Sequence, residues 1–159
     1  MSDLAEKVLG AFKAKGKMLA MAESCTGGMV AAALTDIAGS SAVVERGFVT
    51  YTNRAKAQML GIAPEVIEAH GAVSSEVAEA MARGAWAQSG AHVAVAITGI
   101  AGPDGPVGKP VGLVWFGLAA EGTPTTTEQQ IFKGDRAAVR RQATEKALAL
   151  LLEGLDRLK

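Results

Sequence analysis

Three adjacent side chains that can act as nucleophiles stand in the stretch AESCTGG, namely Ser24, Cys25 and Thr26. A hydroxyl attacks a carbonyl only when a neighbouring base removes its proton, whereas a cysteine usually needs a histidine or an electropositive niche to form a thiolate. Neither His70 nor His92 lies in a motif that links it to Cys25. The residues therefore favour Ser24. A helix start could still supply the niche for Cys25, and the alternative for Cys25 is a small buried residue.

The same stretch has the form of a strand, a glycine turn and a helix, which presents backbone N–H groups and the positive end of a helix dipole to an anion. We expect the anion to be a phosphate in contact with Thr26, Gly27 and Gly28. Simple packing of a turn against a helix would produce the same pattern, so the signal is moderately specific.

Two standard phosphate fingerprints fail elsewhere in the chain. A P-loop ending at Lys109 would require Ser or Thr where Pro110 stands, and a dinucleotide fingerprint starting at Gly99 has Ala101 in place of its second glycine. The sequence therefore gives no support to a nucleotide-hydrolysing or a dehydrogenase function.

The composition restricts the classes of partner. Sixteen basic residues balance sixteen acidic ones among 159 residues, so no net positive charge favours nucleic acid or an anionic membrane. One cysteine and two histidines give no spacing typical of a metal site, and we expect neither metal nor cofactor. The first residues show no secretion signal and no run of about 20 apolar residues follows, so we expect a cytoplasmic protein without a membrane span.

Strand and helix patterns alternate along the chain, and the predicted class is α/β, a three-layer α/β/α sandwich with a mixed, mostly parallel sheet. We expect residues 1–159 to form a single domain. Glycine, proline and N-cap residues set the predicted boundaries. Helices are predicted over 3–15, 26–37, two pieces within 53–70, 75–89 and after Asp135, and strands over 18–23, 43–52, 92–98, 113–122 and 123–134.

Two further groups are candidates for ligand contact. Thr98 and Gly99 end a predicted interior strand, at the edge of a sheet where α/β proteins usually place ligands, and Thr98 is predicted to orient the substrate. Arg136 and Arg140 share one face of the last helix, so two guanidiniums could meet one phosphate. The plain alternatives are a strand-ending turn and a solvated helix face.

Five motifs together resemble the C-terminal domain of the competence and damage-inducible protein CinA, the family of nicotinamide mononucleotide deamidases. Larger members carry an additional N-terminal domain, so the likeness is to a stand-alone form. The motifs follow one another over most of the chain. They are AESCTGG (22–28), YTNRAK (51–56), GAVSSEVAEAMA (71–82), AITGIAGPDG (96–105) and KPVGLVWFGL (109–118).

The resemblance implies hydrolysis of nicotinamide mononucleotide to nicotinic acid mononucleotide and ammonia, in pyridine nucleotide (NAD) recycling. It assigns Ser24 as the nucleophile, Lys56 as its general base and Tyr51 as a supporting hydrogen-bonding residue. At an unperturbed pKa of about 10.4, only about one lysine in 2,500 is neutral at pH 7. We therefore expect a largely buried Lys56 without a full carboxylate partner, and a close pairing with Glu23 would weaken its role as a base.

Two other functions remain open from the sequence. One is a nucleotide-binding or interaction module in which Ser24 merely caps a helix, and the other is an amidase of the same mechanism with another substrate. The only partner that we predict besides a small nucleotide is a second copy of the chain. A content of 49% hydrophobic and 20% charged residues leaves apolar surface for an interface, and the resemblance also implies a homodimer or higher oligomer.

Overall fold

The computed structural model describes residues 1–158, in which a five-stranded sheet lies between two layers of helices. A short 3₁₀ turn at Ser40–Ala42 precedes the second strand. In chain order the elements are α1 (Ser2–Lys15), β1 (Leu19–Glu23), α2 (Met29–Thr35), β2 (Val44–Val49), α3 (Asn53–Leu60), α4 (Pro64–His70), α5 (Ser75–Ser89), β3 (Val93–Gly99), β4 (Leu113–Ala120), β5 (Thr126–Ile131) and α6 (Arg136–Arg157).

The sheet has the strand order β2-β1-β3-β4-β5. Strand β1 is central and runs parallel to both β2 and β3, while β4 runs antiparallel to β3 and β5. Four strands thus share one direction and β4 opposes them. The predicted mixed sheet and the hairpin around Glu121 and Gly122 are confirmed, and the carboxyl ends of β1, β2 and β3 meet at one edge.

The two faces of the central strands differ in side-chain size. Along β1, Leu19 and Met21 point to one face and Ala20 and Ala22 to the other, and all four are fully buried. The larger side chains pack with α1, α2 and α6, whereas the alanines pack with α3, α4 and α5. Both faces are therefore covered by helices, which confirms the predicted three-layer sandwich.

Small residues let α5 approach the sheet closely. A Cβ placed on Gly117 of β4 would lie 2.2 Å from the carbonyl oxygen of Ala78 on α5 and 3.0 Å from the Cβ of Ala82. Such distances are too short for any side chain, because the first of them is to a backbone atom. Glycine at position 117 therefore sets the distance between α5 and the sheet.

Most predicted boundaries agree with the observed ones. Gly16 ends α1 in the left-handed conformation, Pro64 occupies the first turn of α4, and the hydroxyl of Ser74 accepts from the N–H of Val77 at the start of α5. Asp135 caps α6 by accepting from the N–H of Ala138 at 2.9 Å.

Two predicted boundaries near the first motif are wrong. Helix α2 begins at Met29 rather than at Thr26, because Gly27 and Gly28 have φ values of 58° and 108°, outside the helical region. Strand β2 ends at Val49, since the chain then turns so that the hydroxyl of Thr52 caps α3. Both differences place irregular backbone at the same edge of the sheet.

Within residues 1–158, no helix is both long enough and apolar enough to cross a membrane.

The close approach of α5 gives a stability test. We expect Gly117→Ala to lower the free energy of unfolding by about 1–3 kcal/mol, because α5 must move away from the sheet to admit the methyl group. Gly10→Ala in α1 is the matched control: nothing lies within 4 Å of a Cβ at this exposed helix position, so the variant should be more stable by about 0.5–1 kcal/mol. Urea unfolding measures both, and equal stability of the two variants would contradict the packing argument.

Candidate active site

Ser24 and Lys56 lie in contact at the edge of the sheet. Ser24 directly follows β1, and its N–H donates to the carbonyl oxygen of Ile97 on β3 at 3.0 Å, which fixes the start of the turn. Lys56 lies in the first turn of α3, and its Nζ is 3.1 Å from Oγ of Ser24. Only 1% of Lys56 and 8% of Ser24 are exposed, so the contact is shielded from bulk water.

Backbone carbonyls supply the other contacts of the Lys56 amine. Its Nζ is 3.0 Å from the carbonyl oxygen of Thr50 and 3.5 Å from that of Tyr51. None of the carboxylates within residues 1–158 forms an ion pair with this lysine. The three oxygens match the three N–H donors of an ammonium, and after loss of one proton the amine keeps two donors for the carbonyls and offers its lone pair to the serine hydroxyl.

Burial lowers the pKa of Lys56 from its ordinary value of 10.5, since the charged form loses its hydration. Within residues 1–158 no carboxylate opposes this shift, and only the charged form of Cys25 would act against it. The expectation of a buried lysine without a full carboxylate partner is therefore confirmed. The contact between Ser24 and Lys56 has the geometry that a nucleophile and its base require, while the catalytic roles themselves stay a prediction.

Cys25 lacks the properties of a reactive thiol. Only 4% of the residue is exposed, and burial raises the pKa of the thiol to about 11. The nearby Arg140, and Lys56 when it is protonated, favour the thiolate but do not outweigh this burial. Very little thiolate is present at neutral pH, so the geometry favours Ser24.

Glu23, the last residue of β1, occupies the N-terminus of α2. Its Oε1 accepts from the hydroxyl of Thr26 at 2.6 Å and from the N–H groups of Gly28 and Val30 at 3.2 and 3.0 Å. Its Oε2 accepts from the N–H of Ala31 at 3.0 Å, and only 1% of Glu23 is exposed. The protein thus supplies its own anion at this helix start, and the predicted contact of a phosphate with Thr26, Gly27 and Gly28 stays a prediction.

The predicted ligand residues of the turn have internal roles in the structure. Thr26 is fully buried and its hydroxyl donates to Glu23, so its side chain is not available to a ligand. Gly28 donates its N–H to the same carboxylate. Gly27 has a positive φ, and a Cβ there would lie 3.2 Å from Nη2 of Arg140. Contact between this turn and a substrate is therefore restricted to backbone groups that remain free.

Arg136 connects three segments around the turn. It donates through Nη2 to the phenolic oxygen of Tyr51 at 2.8 Å and through Nη1 to the carbonyl oxygen of Gly102 at 2.8 Å. Tyr51 is 57% exposed, and its backbone carbonyl faces Lys56. The structure thus brings Tyr51 to the site, with its hydroxyl held by Arg136.

Arg140 lies one helical turn further along α6 and contacts the turn after Ser24. Its Nε donates to the carbonyl oxygen of Cys25 at 2.9 Å, and its Nη2 to that of Thr26 at 3.2 Å. The two arginines therefore share a helix face, as predicted, and both face the site. Each guanidinium already has two oxygen partners within the chain.

Thr98 and Gly99 lie at the end of β3, beside the turn. The hydroxyl of Thr98 donates to the carbonyl oxygen of Ala72 at 2.8 Å, and only 1% of Thr98 is exposed. A Cβ on Gly99 would lie 3.1 Å from Sγ of Cys25 and 2.6 Å from Cγ2 of Val114. Glycine at position 99 therefore makes room for the turn that carries Ser24.

Sequence reasoning missed two contributions to the site. It considered Glu23 only as a possible partner of Lys56, although an acidic residue just before a helix start is a recognisable signal of capping. It also assigned no role to Lys109, whose Nζ donates to the carbonyl oxygen of Val73 at 2.5 Å, next to the Ala72 carbonyl that accepts from Thr98. A lysine between glycine and proline in a loop gives no comparable signal.

A buried serine and lysine in contact is the arrangement used by proteins that transfer acyl groups through a serine–lysine pair, which occur on unrelated folds. The chain belongs to the CinA C-terminal domain family, whose sequence profile matches residues 1–155. This membership is the one that the five motifs predicted.

Curated relatives include stand-alone and longer proteins. The nicotinamide-nucleotide amidohydrolase PncC of Escherichia coli K12 is 55% identical over 152 residues, which are 95% of this chain and 92% of that protein. The protein of the same name from Enterobacter agglomerans is 50% identical, over 96% of this chain and 93% of that protein. A CinA-like protein of Akkermansia muciniphila is 50% identical over 84% of this chain but only 33% of its own length.

Solved structures share the fold over nearly the whole chain. The crystal structure of the competence/damage inducible protein CihA from Agrobacterium tumefaciens has a TM-score of 0.94 and 46% identity, and covers 98% of this chain and 95% of that one. The crystal structure of a CinA superfamily protein from Klebsiella pneumoniae has a TM-score of 0.93 and 40% identity. It covers 98% of this chain and 97% of that one.

The buried amine predicts a pH-dependent stability. The pKa of Lys56 is lower in the folded chain than in the unfolded one, so between the two values the unfolded chain binds more protons and stability rises with pH, by up to about 1.4 kcal/mol per pH unit. Below the pKa of Lys56 in the folded chain, burial of its charge lowers the free energy of unfolding by the full amount. Above the ordinary lysine pKa of 10.5 this loss of stability disappears. We expect Lys56→Met to remove this slope, as measured by urea unfolding between pH 7 and pH 10.

The matched control is Lys7→Met, which removes an exposed lysine of α1. This variant should keep the pH dependence of the unmodified chain. Parallel stability curves for Lys56→Met and the unmodified chain would show that Lys56 keeps its proton throughout this range, and would contradict its assignment as a base.

Proposed function

We propose that this chain is an amidohydrolase that converts nicotinamide mononucleotide to nicotinic acid mononucleotide and ammonia, as a step in pyridine nucleotide (NAD) recycling. The observation that carries the proposal is the 3.1 Å contact between Oγ of Ser24 and Nζ of Lys56, with no carboxylate paired to the amine among residues 1–158. The names of the relatives at 55% and 50% identity support the choice of substrate.

The first half of the proposed reaction forms an acyl-enzyme. Neutral Lys56 takes the proton of the Ser24 hydroxyl while Oγ attacks the carboxamide carbon, which gives a tetrahedral oxyanion. The resulting ammonium then gives this proton to the nitrogen of the amide as the C–N bond breaks. Ammonia leaves, and the nicotinoyl group stays on Ser24 as an ester.

The second half releases the acid. Lys56, neutral again, takes a proton from water, whose oxygen attacks the ester carbon. Collapse of the second tetrahedral intermediate breaks the bond to Oγ, and Lys56 returns the proton to Ser24. One amine thus serves as base and acid in both halves, which requires that its two protonation states be close in free energy near the working pH.

Other residues have supporting roles in this proposal. Tyr51 is a hydrogen-bonding residue at the mouth of the site, and the exposed Arg136, which holds it, is the proposed contact for the substrate phosphate. Thr98 and Gly99 orient the substrate indirectly, by shaping the loop at Ala72 and the packing beside Cys25. The reaction as written needs no metal and no cofactor.

Domain organisation and cellular setting belong to the same proposal. We propose a single amidase domain over residues 1–159, of which residue 159 lies outside the described part of the chain. Support comes from residues 1–158, where both apolar clusters pack against one sheet. A buried, protonated Cys25 and the proposed recycling reaction fit a cytoplasmic setting.

Ammonia release tests the assigned roles. With nicotinamide mononucleotide as substrate, we expect Ser24→Ala and Lys56→Ala to lower kcat/KM by at least about 10³-fold, because each removes a member of the reacting pair. The kcat/KM of the unmodified chain should rise with pH on the acid side, as Lys56 loses its proton at a pKa below 10.5. The exposed Ser41→Ala and Lys7→Ala are matched controls.

Full turnover by either active-site variant would contradict the mechanism. Binding of the mononucleotide without ammonia release by the unmodified chain would favour the binding-module alternative. Faster release from another carboxamide would favour an amidase with a different substrate.

We further propose that the chain forms a homodimer or a higher oligomer. Within residues 1–158, no further strand pairs with the edge strands β2 and β5, and large apolar side chains are exposed on or beside them: Val49 at 47%, Tyr51 at 57% and Ile131 at 59%. We expect light scattering to give a multiple of the 16.2 kDa chain mass. A mass of one chain at micromolar concentration would contradict the proposal.

A further inference from the structure

We infer that Arg140 is a positioning residue for the proposed reaction: it fixes the turn after Ser24 so that the backbone N–H groups of Cys25 and Thr26 are presented to the substrate carboxamide oxygen. The inference rests on the proposed amidase function. It replaces the sequence-based expectation that Arg140 binds the substrate phosphate.

The guanidinium of Arg140 holds two consecutive peptide groups. Its Nε donates to the carbonyl oxygen of Cys25 at 2.9 Å and its Nη2 to that of Thr26 at 3.2 Å. The helix that carries Arg140 is itself fixed, because Val139 and Ala143 beside it are fully buried against the core. Two donors from one planar group leave the turn little freedom to rotate.

The held carbonyls determine where the adjacent N–H groups point. The peptide bond between Cys25 and Thr26 is trans, so the N–H of Thr26 points away from the Cys25 carbonyl that Arg140 holds. The N–H of Cys25 lies in the peptide group of Ser24, whose carbonyl oxygen accepts from the N–H of Gly27 at 3.0 Å. This N–H of Gly27 shares a peptide group with the Thr26 carbonyl that Arg140 also holds, so Arg140 acts on the Cys25 N–H indirectly. In the described part of the chain, no oxygen accepts the N–H of Cys25 or of Thr26. The neighbouring N–H groups of Ser24, Gly27 and Gly28 all have acceptors.

These two donors, which no oxygen within residues 1–158 accepts, directly follow the proposed nucleophile; the N–H of Cys25 contacts the sulfur of its own side chain. Backbone N–H groups at this position can stabilise the negative charge on the oxygen of a tetrahedral intermediate. Their alignment is held from both sides of the turn, since Glu23 binds the Thr26 hydroxyl at 2.6 Å on the inside and Arg140 binds the carbonyls on the other side. Gly27 permits the approach, because a Cβ there would lie 3.2 Å from Nη2.

The positioning role and the phosphate role make different kinetic predictions. A residue that aligns donors for the transition state affects kcat, whereas a residue that binds a phosphate present throughout the reaction affects KM and the preference for phosphorylated substrates. The mononucleotide and nicotinamide riboside share the reacting carboxamide and differ by the phosphate. Comparing the two substrates therefore separates the two roles.

The experiment measures ammonia release by Arg140→Met and Arg140→Lys with both substrates. We expect kcat for the mononucleotide to fall at least about tenfold in Arg140→Met, since loss of an oxyanion donor typically costs about 10²–10³-fold, with KM changed less than about twofold. Arg140→Lys should recover only part of kcat, because an ammonium cannot span both carbonyls in the same way. The preference for the mononucleotide over the riboside should stay unchanged.

Arg141→Met is the matched control, because Arg141 is the exposed neighbour on the same helix. It should retain the kcat of the unmodified chain. The acid limb of the pH profile should also be unchanged in Arg140→Lys, since Lys56 keeps its contacts, and urea unfolding identifies any variant that does not fold. Arg140→Lys decides the question if Arg140→Met is unfolded.

A rise in KM together with loss of the preference for the mononucleotide would overturn the inference in favour of phosphate binding. Unchanged kcat in both variants would overturn it as well. If the riboside is not turned over, the separate effects on kcat and KM for the mononucleotide decide. Absence of ammonia release by the unmodified chain would instead refute the proposed function, so the two failures are distinguishable.

Discussion

The candidate site depends on one buried amine, that of Lys56, which forms no ion pair with any carboxylate within residues 1–158. In water an ammonium is stabilised by hydration, but Lys56 has exchanged that hydration for two carbonyl oxygens and one hydroxyl. Carbonyl dipoles compensate a full charge only in part, so the neutral form becomes accessible. A carboxylate beside this amine would have stabilised the ammonium. The nearest acidic residue in sequence to Ser24, Glu23, is instead saturated by the start of α2.

The sheet brings the partners of this site together because three parallel strands end at the same edge. Ser24 follows β1, Lys56 lies in the helix after β2, and Thr98 and Gly99 end β3. The alternation of large and small side chains along the central strands fixes which helices cover each face. An error of one residue in strand register would exchange the two faces and separate the serine from the lysine.

Much of this arrangement could be predicted from the sequence, for identifiable physical reasons. Gly16, Ser74 and Asp135 determine helix ends through local backbone geometry and short-range hydrogen bonds, and such signals are contained within a few residues. The motif resemblance located Ser24 and Lys56, which are 32 positions apart. The strand order could not be predicted, because β1 pairs with β3 as well as with the strand that follows it, and local patterns do not encode such pairing. The contacts of Arg140 could not be predicted either, because they join segments separated by more than 100 residues.

The protonated, covered state of Cys25 has a consequence for chemical durability. Peroxides and related oxidants attack thiolates, and a thiol with a pKa of about 11 and 4% exposure offers them very little reactive sulfur. A sulfur beside the nucleophile therefore does not make the site a redox sensor. The protein is expected to keep working under oxidative conditions that inactivate hydrolases with a cysteine nucleophile.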